Sequence, residues 1–299
     1  MKVRLNDDLS LSRILAGVMN WGIWGGDLSP KDVNKLIQQC IELGITTFDH
    51  ADIYGNYTTE KLFGDAFALG GIKREDIQIV TKCGIKMPCE NRPEISIKSY
   101  SNSGAHIFES VHNSLENLKT DYIDMLLIHR PSPIMDPKVV ADAFLRLKNQ
   151  GKVRHFGVSN FSPSKFNLLY KSFPLITNQI EASILHLDPF EDGTLDNAMS
   201  RGIKPMAWSP LGGGKMFQKS ADYDFVTQRA RLKEVADKYG WSLDEMAYKF
   251  LLHHPSEILP VTGSSKIDRI KVAVDALEEK ITDEQWFEIW SASTGKDVA

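Results

Sequence analysis

Continuous apolar runs alternate with amphipathic stretches along most of this chain. Val3–Arg13 alternates weakly around Asn6-Asp7-Asp8 and reads as a small hairpin. Arg13–Asn20 is the first unbroken apolar run, the pattern of a strand covered on both faces. Further strands are read at Thr46–Gly55, which opens apolar and ends in a polar and acidic cluster with a tyrosine, and at Asp76–Gly84, Tyr122–Arg130, Val153–Asn160, Leu175–Glu181, Ile203–Leu211 and Glu257–Gly263. Between them the spacing becomes helical. Ser29-Pro30 supplies an N-cap and a first helical proline, Val33, Leu36, Ile37, Cys40 and Ile41 share one face, and Gly44 supplies the stop. The same reading predicts helices over Thr58–Ala68, Gly104–Leu118, Pro137–Gln150, from Ser162-Pro163, around Leu195–Arg201, and over Phe225–Tyr239, Ser242–His253, Ile267–Glu278 and Asp283–Trp290. Ser242 and Glu245 form a capping-box pair.

Strands that alternate with helices imply a parallel sheet, and eight such units in 299 residues imply a closed barrel. The expected architecture is therefore α/β, a (β/α)8 TIM barrel occupying 1–299 as one domain, with extra helices before strand eight and at the C-terminus. An open doubly wound sheet is the weaker alternative, since no GxGxxG follows the first strand and no linker divides the chain. The stretch 85–104 reads as a long polar loop, and with 20–27 and 212–225 it is expected to supply substrate contacts.

A closed barrel brings the carboxyl ends of all its strands to one face, where barrel enzymes place their chemistry. Four residues then converge: Asp49 and Tyr54 from TTFDHADIYG, Lys82 after the third run, and His129 after the fourth. Alone, each is an ordinary polar strand end. Together they form an acid system. A tyrosine is a poor acid near neutrality, a neighbouring ammonium favours the phenolate and lowers its pKa, and an aspartate keeps the buried lysine charged. A histidine can orient a carbonyl oxygen. Such a group protonates a carbonyl oxygen as hydride reaches its carbon. Trp21 and Trp24 follow the first strand and suit either packing or the wall of an apolar pocket.

Composition removes other classes. A net charge of −4 and no basic run argue against nucleic-acid or membrane-surface binding, and no apolar run is long enough to span a bilayer. The first residues, MKVRLNDDLS, lack an apolar h-region, and the three cysteines lack CxxC spacing, so a reduced, cytoplasmic protein is expected. A metal-dependent hydrolase using Asp49, His50, Asp52 and His129 is a competing reading, weakened because the first strand does not end in an HxH pair. No metal is expected.

The ordered pieces TTFDHADIYG, IVTK, LLIHRP, FGVSNF, MAWSPLGGG and VTGSSKIDRI resemble the aldo-keto reductase superfamily over nearly the whole chain. The resemblance implies an NADPH-dependent barrel acting on a small carbonyl substrate. Tyr54 would be the general acid, tuned by Lys82 and Asp49, with His129 orienting the carbonyl. It also implies a cofactor site. Ser159, Asn160 and Gln179 would hold the nicotinamide carboxamide, and Trp208 would lie against the ring. Ser209, Leu211 and Gly212 would line the pyrophosphate, and Ser264, Ser265 and Arg269 would surround the adenosine 2′-phosphate. The chain departs from the family at Gly263, where many members have lysine, and at Ala273, where they have asparagine; Lys266 stands ready to replace the lost charge. It also lacks the long C-terminal loop of many members, which implies an open pocket and broad activity. A cofactor-binding regulatory module with little turnover is the alternative function. Oligomeric state is left open, with a monomer among the options.

Overall fold

The computed structural model describes residues 2–218 and 222–298; of the loop expected over 212–225, residues 219–221 lie outside the described residues. The chain opens with the expected hairpin, β1 (Lys2–Arg4) against β2 (Ser10–Ser12), antiparallel with Val3 opposite Leu11. Eight parallel strands then close a barrel. In chain order they are β3 (Leu15–Gly17), β4 (Thr47–Asp49), β5 (Gln78–Cys83), β8 (Ile123–Ile128), β9 (Val153–Ser159), β10 (Asn178–Glu181), β11 (Met206–Trp208) and β12 (Leu259–Thr262), with β12 pairing back onto β3. Leu15, Val80, Met125, Leu127, Met206, Leu259 and Val261 form one buried cluster with Val3, Leu9 and Leu11, so the hairpin packs on the barrel interior.

The helices α1 (Pro30–Glu42), α3 (Thr59–Phe67), α4 (Gly104–Leu118), α5 (Pro137–Asn149), α6 (Pro163–Tyr170), α8 (Thr194–Met199), α10 (Leu243–His253) and α11 (Ile267–Asp275) accompany the strands. Their starts follow the sequence signals: Ser29 caps α1 in a reciprocal box with Asp32, and Ser162 and Ser242 cap α6 and α10. Two further helices, α9 (Tyr223–Tyr239) before β12 and α12 (Asp283–Thr294) near the C-terminus, pack against one another. A short α7 (Asp188–Glu191) precedes α8.

Several strands are shorter than their apolar runs. Only three residues of Arg13–Asn20 join the ladder, yet Val18 and Trp21 beyond it are almost wholly buried. Apolarity reports burial, and a chain leaving the barrel stays buried for several residues after pairing ends. The expected loop 85–104 also carries structure: β6 (Ile85–Lys86) pairs antiparallel with β7 (Ser99–Tyr100). Polar composition hid this two-residue ladder, which is too short to show alternation.

One close approach gives a stability prediction. A Cβ on Gly64 of α3 would sit 2.0 Å from the Asn117 carbonyl oxygen of α4. Backbone cannot give way as a flexible side chain can, so Gly64→Ala is expected to cost about 3 kcal/mol, read as a lowered denaturant midpoint with unchanged slope.

Candidate active site

Lys82 is the centre of the strand-end group. It lies on β5, 1% exposed, and its ammonium reaches Asp49 Oδ2 at 2.8 Å, the His50 carbonyl oxygen at 2.7 Å and the Tyr54 hydroxyl at 3.1 Å. Three ammonium hydrogens thus meet three oxygens. The second oxygen of Asp49 accepts from Gln179 Nε2 at 2.8 Å, so both oxygens of this buried carboxylate are satisfied. His129, 5% exposed at the end of β8, stands edge-on to Tyr54 with ring centroids 6.0 Å apart. The four residues expected to converge do so.

Tyr54 opens a short turn, α2 (Tyr54–Tyr57), in which Gly55, Asn56 and Tyr57 all take left-handed backbone, with φ of 57°, 55° and 68°. Each non-glycine residue there costs on the order of 1–2 kcal/mol. Two loops hold the turn. Trp24 Nε1 donates to Asn56 Oδ1 at 3.1 Å, Asn91 Nδ2 donates to the Asn56 carbonyl at 2.8 Å, and the Met87 amide donates to the Tyr57 hydroxyl at 2.9 Å. Trp24 also lies 6.2 Å from the Tyr54 ring, at the mouth, whereas Trp21 is core and donates to the Ser264 carbonyl. The two tryptophans divide the two roles the sequence left open.

Burial decides the protonation states. It pushes the Tyr54 pKa up, against the downward pull of Lys82, and the balance lies above the ordinary value of 10.0. This corrects the expectation of a lowered tyrosine: the partial burial of the phenol at the mouth opposes phenolate more strongly than the ammonium favours it. Burial opposes the charge of Lys82 as well, but Asp49 and Tyr54 together outweigh it and hold the pKa above 10.5. Burial, then Lys82, Arg130 and Lys98, drive His129 far below 6.5, so it is neutral.

Behind this group, Glu60 of α3 accepts from the Thr81 hydroxyl at 2.6 Å, and burial raises its pKa from 4.5 to about 7. Nothing in the sequence singled it out. Since the folded pKa is the higher one, the stability that protonated Glu60 contributes is complete below pH 4.5 and is lost as pH rises through 7. Relative to wild type, Glu60→Gln should gain about 3 kcal/mol between pH 4.5 and pH 8, measured by denaturant melts at both ends.

On the far side of the mouth, Asn160 Nδ2 donates to Ser159 Oγ at 2.9 Å and Trp208 Nε1 donates to Asn160 Oδ1 at 3.0 Å. Asn160 and Ser209 are both left-handed, with φ of 56° and 52°, so the chain turns sharply at the ends of β9 and β11. Leu211 and Gly212 follow, and a Cβ on Gly212 would meet Leu185 Cδ1 at 2.6 Å. Helix α11 begins without a side-chain cap, and at its start Ser264 Oγ accepts from the Lys266 amide at 3.0 Å. Ser265 is half-buried and Lys266 and Arg269 are exposed beside it. Gly263 is exposed and Ala273 is wholly buried, so neither departure position presents a polar side chain. Amide and hydroxyl groups at β9–β11 and an uncapped, cationic helix start at α11 are the donor set that a nicotinamide dinucleotide requires.

The metal-ligand reading fails on geometry. Asp49 already accepts from Lys82 and Gln179, and among the described residues no three His, Cys, Asp or Glu side chains stand together as metal ligands. Among the described residues no helix is long and apolar enough to cross a membrane.

Comparison with known proteins agrees with this geometry. The model of the aldo/keto reductase family matches residues 13–293. An uncharacterized oxidoreductase of Bacillus subtilis, YcsN, is 48% identical over 99% of both chains. A 6-dehydroglucose reductase of Agrobacterium fabrum is 40% identical over 100% of this chain and 99% of its own. Among solved structures, the holo form of aldo-keto reductase AKR11C1 from Bacillus halodurans superposes with a TM-score of 0.83 at 26% identity, covering 99% of this chain and 97% of that one. A closed eight-stranded barrel with lysine, aspartate, tyrosine and histidine at its mouth, and a family match over almost the full length, lead to one conclusion: the chain belongs to the aldo/keto reductase family.

Proposed function

We propose that residues 1–299 act as one barrel domain, in the cytoplasm, that reduces aldehyde or ketone carbonyls to alcohols with NADPH. The observation that carries this is the Lys82 ammonium bonded at once to Asp49, the His50 carbonyl and the Tyr54 hydroxyl. When bound, the reduced nicotinamide supplies hydride to the carbonyl carbon. The residues of this chain handle the oxygen. Tyr54, kept protonated by burial, donates its phenolic proton as charge develops there, and Lys82 stabilises the phenolate left behind. Asp49 keeps Lys82 charged and aimed, and Gln179 keeps Asp49 from turning away. Neutral His129 orients the carbonyl without competing for the proton.

Ser159, Asn160 and Gln179 would hold the nicotinamide carboxamide, Trp208 would lie against its ring, and Ser209, Leu211 and Gly212 would line the pyrophosphate. Ser264, Ser265 and Arg269 would take the 2′-phosphate, with Lys266 in place of the family lysine. Arg269→Ala is therefore expected to weaken NADPH binding roughly 10- to 100-fold and NADH binding far less, read by tryptophan quenching. Equal weakening of both would remove the phosphate role.

Relatives that reduce 6-dehydroglucose, 40% and 35% identical to this chain, make hydroxylated, sugar-derived aldehydes the first substrates to try. The test follows NADPH consumption over a panel of aldehydes and ketones, with EDTA as control. Turnover of several, insensitive to EDTA, supports the reading. Tight NADPH binding without turnover of any favours a regulatory module instead.

A further inference from the structure

The mouth of the site carries a guanidinium that the proposed reaction does not use. Arg130 directly follows His129 and is half-buried. One of its nitrogens, Nη1, donates to the His129 carbonyl oxygen at 2.8 Å and toward Ser159 Oγ at 3.4 Å. Its carbon lies 5.6 Å from the centre of the Trp208 ring. These contacts seat the group between the two halves of the mouth, next to His129 on one side and Trp208 on the other. Nε and Nη2 donate to no protein acceptor among the described residues.

A partly buried guanidinium ordinarily has a carboxylate partner, because burial opposes its charge. Burial does lower the Arg130 pKa. Glu181, at the end of β10, acts on it only from beyond ion-pair distance. Arg130 therefore lies beside His129 and Trp208 at the mouth, and it forms no ion pair among the described residues. An arginine in that state retains a two-pronged donor edge whose complement is a carboxylate.

We infer that this site selects carbonyl substrates that also carry a carboxylate, with Arg130 as the residue that binds it. The inference rests on the carbonyl-reductase reading and narrows its substrate class. A carboxylate held by Arg130 would tether the molecule at the rim and leave its aldehyde end free to reach Tyr54. Trp24, on the opposite wall, would cover the carbon chain between them. The sugar-derived candidates then narrow to those oxidised to an acid at one carbon.

The test uses a matched pair, succinate semialdehyde and butanal, which differ by the carboxylate. The readout is the ratio of their kcat/KM values within each enzyme, which cancels any general damage to the site. Wild type should favour the semialdehyde roughly 10- to 100-fold, Arg130→Met should bring the ratio near one, and Arg130→Lys should keep part of it. A second arm reads binding alone, by tryptophan fluorescence: γ-hydroxybutyrate against butanol, in wild type and Arg130→Met. Turnover of both aldehydes at equal kcat/KM in wild type overturns the inference and leaves the reductase reading intact. A preference that survives in Arg130→Met also overturns it. Selective binding of γ-hydroxybutyrate that depends on Arg130, with no turnover of any aldehyde, upholds the carboxylate site and sinks the reductase reading.

Discussion

Tyr54→Phe should lower kcat for aldehyde reduction about 10²- to 10⁴-fold, the range typical of a lost general acid, while NADPH still quenches tryptophan fluorescence. The variant keeps the ring, its packing near Trp24 and His129, and the left-handed turn that follows. It removes one oxygen, the third acceptor of the Lys82 ammonium. Loss of that hydrogen bond should cost only about 1 kcal/mol of stability, since Asp49 and the His50 carbonyl remain. A large fall in rate with small changes in melting and cofactor affinity therefore separates a catalytic role from a structural one. Retention of more than about a tenth of wild-type kcat would place the proton donor elsewhere, because a positioned acid is worth at least 10²-fold.

Lys82→Met should be the more damaging change, because it acts on the fold as well as on the chemistry. It strands the Asp49 carboxylate, 2% exposed, with Gln179 as its remaining side-chain partner. An uncompensated buried charge of this kind costs about 3–5 kcal/mol. Activity should fall at least as far as in Tyr54→Phe, since the developing phenolate loses its cation. The double variant Lys82→Met with Asp49→Asn separates the two effects. Neutralising the carboxylate should return much of the lost stability, measured by denaturant melts, and none of the lost rate. If the double variant is no more stable than Lys82→Met alone, the ion pair is not what the buried lysine contributes. If it regains activity, Lys82 does not tune Tyr54.

Much of the site was legible because a barrel converts position along a strand into position in space. Asp49, Lys82 and His129 each close an apolar run, and parallel closure brings such ends together whatever their separation in sequence. The resemblance to aldo-keto reductases rested on the same strand ends and named the same residues. Less legible were features with no local signal. Glu60 sits in the first turn of α3, where an exposed acid is ordinary, and only packing against Thr81 shows that it is buried. Arg130 reads as an ordinary loop arginine until its contacts with His129, Ser159 and Trp208 are seen.

The sequence by itself determined the order of the barrel strands and the main helices between them, the barrel class and the four residues at its mouth, because hydrophobic periodicity and helix capping are local and additive along the chain. The tertiary structure alone decided that Trp21 is core while Trp24 roofs the site, and that Gln179 secures Asp49 across 130 residues of sequence. It also decided that Tyr54 stays protonated against the pull of its lysine. Each of these depends on distance and enclosure: the desolvation of a ring, or the reach of one amide to one carboxylate, exists only once remote segments are packed together.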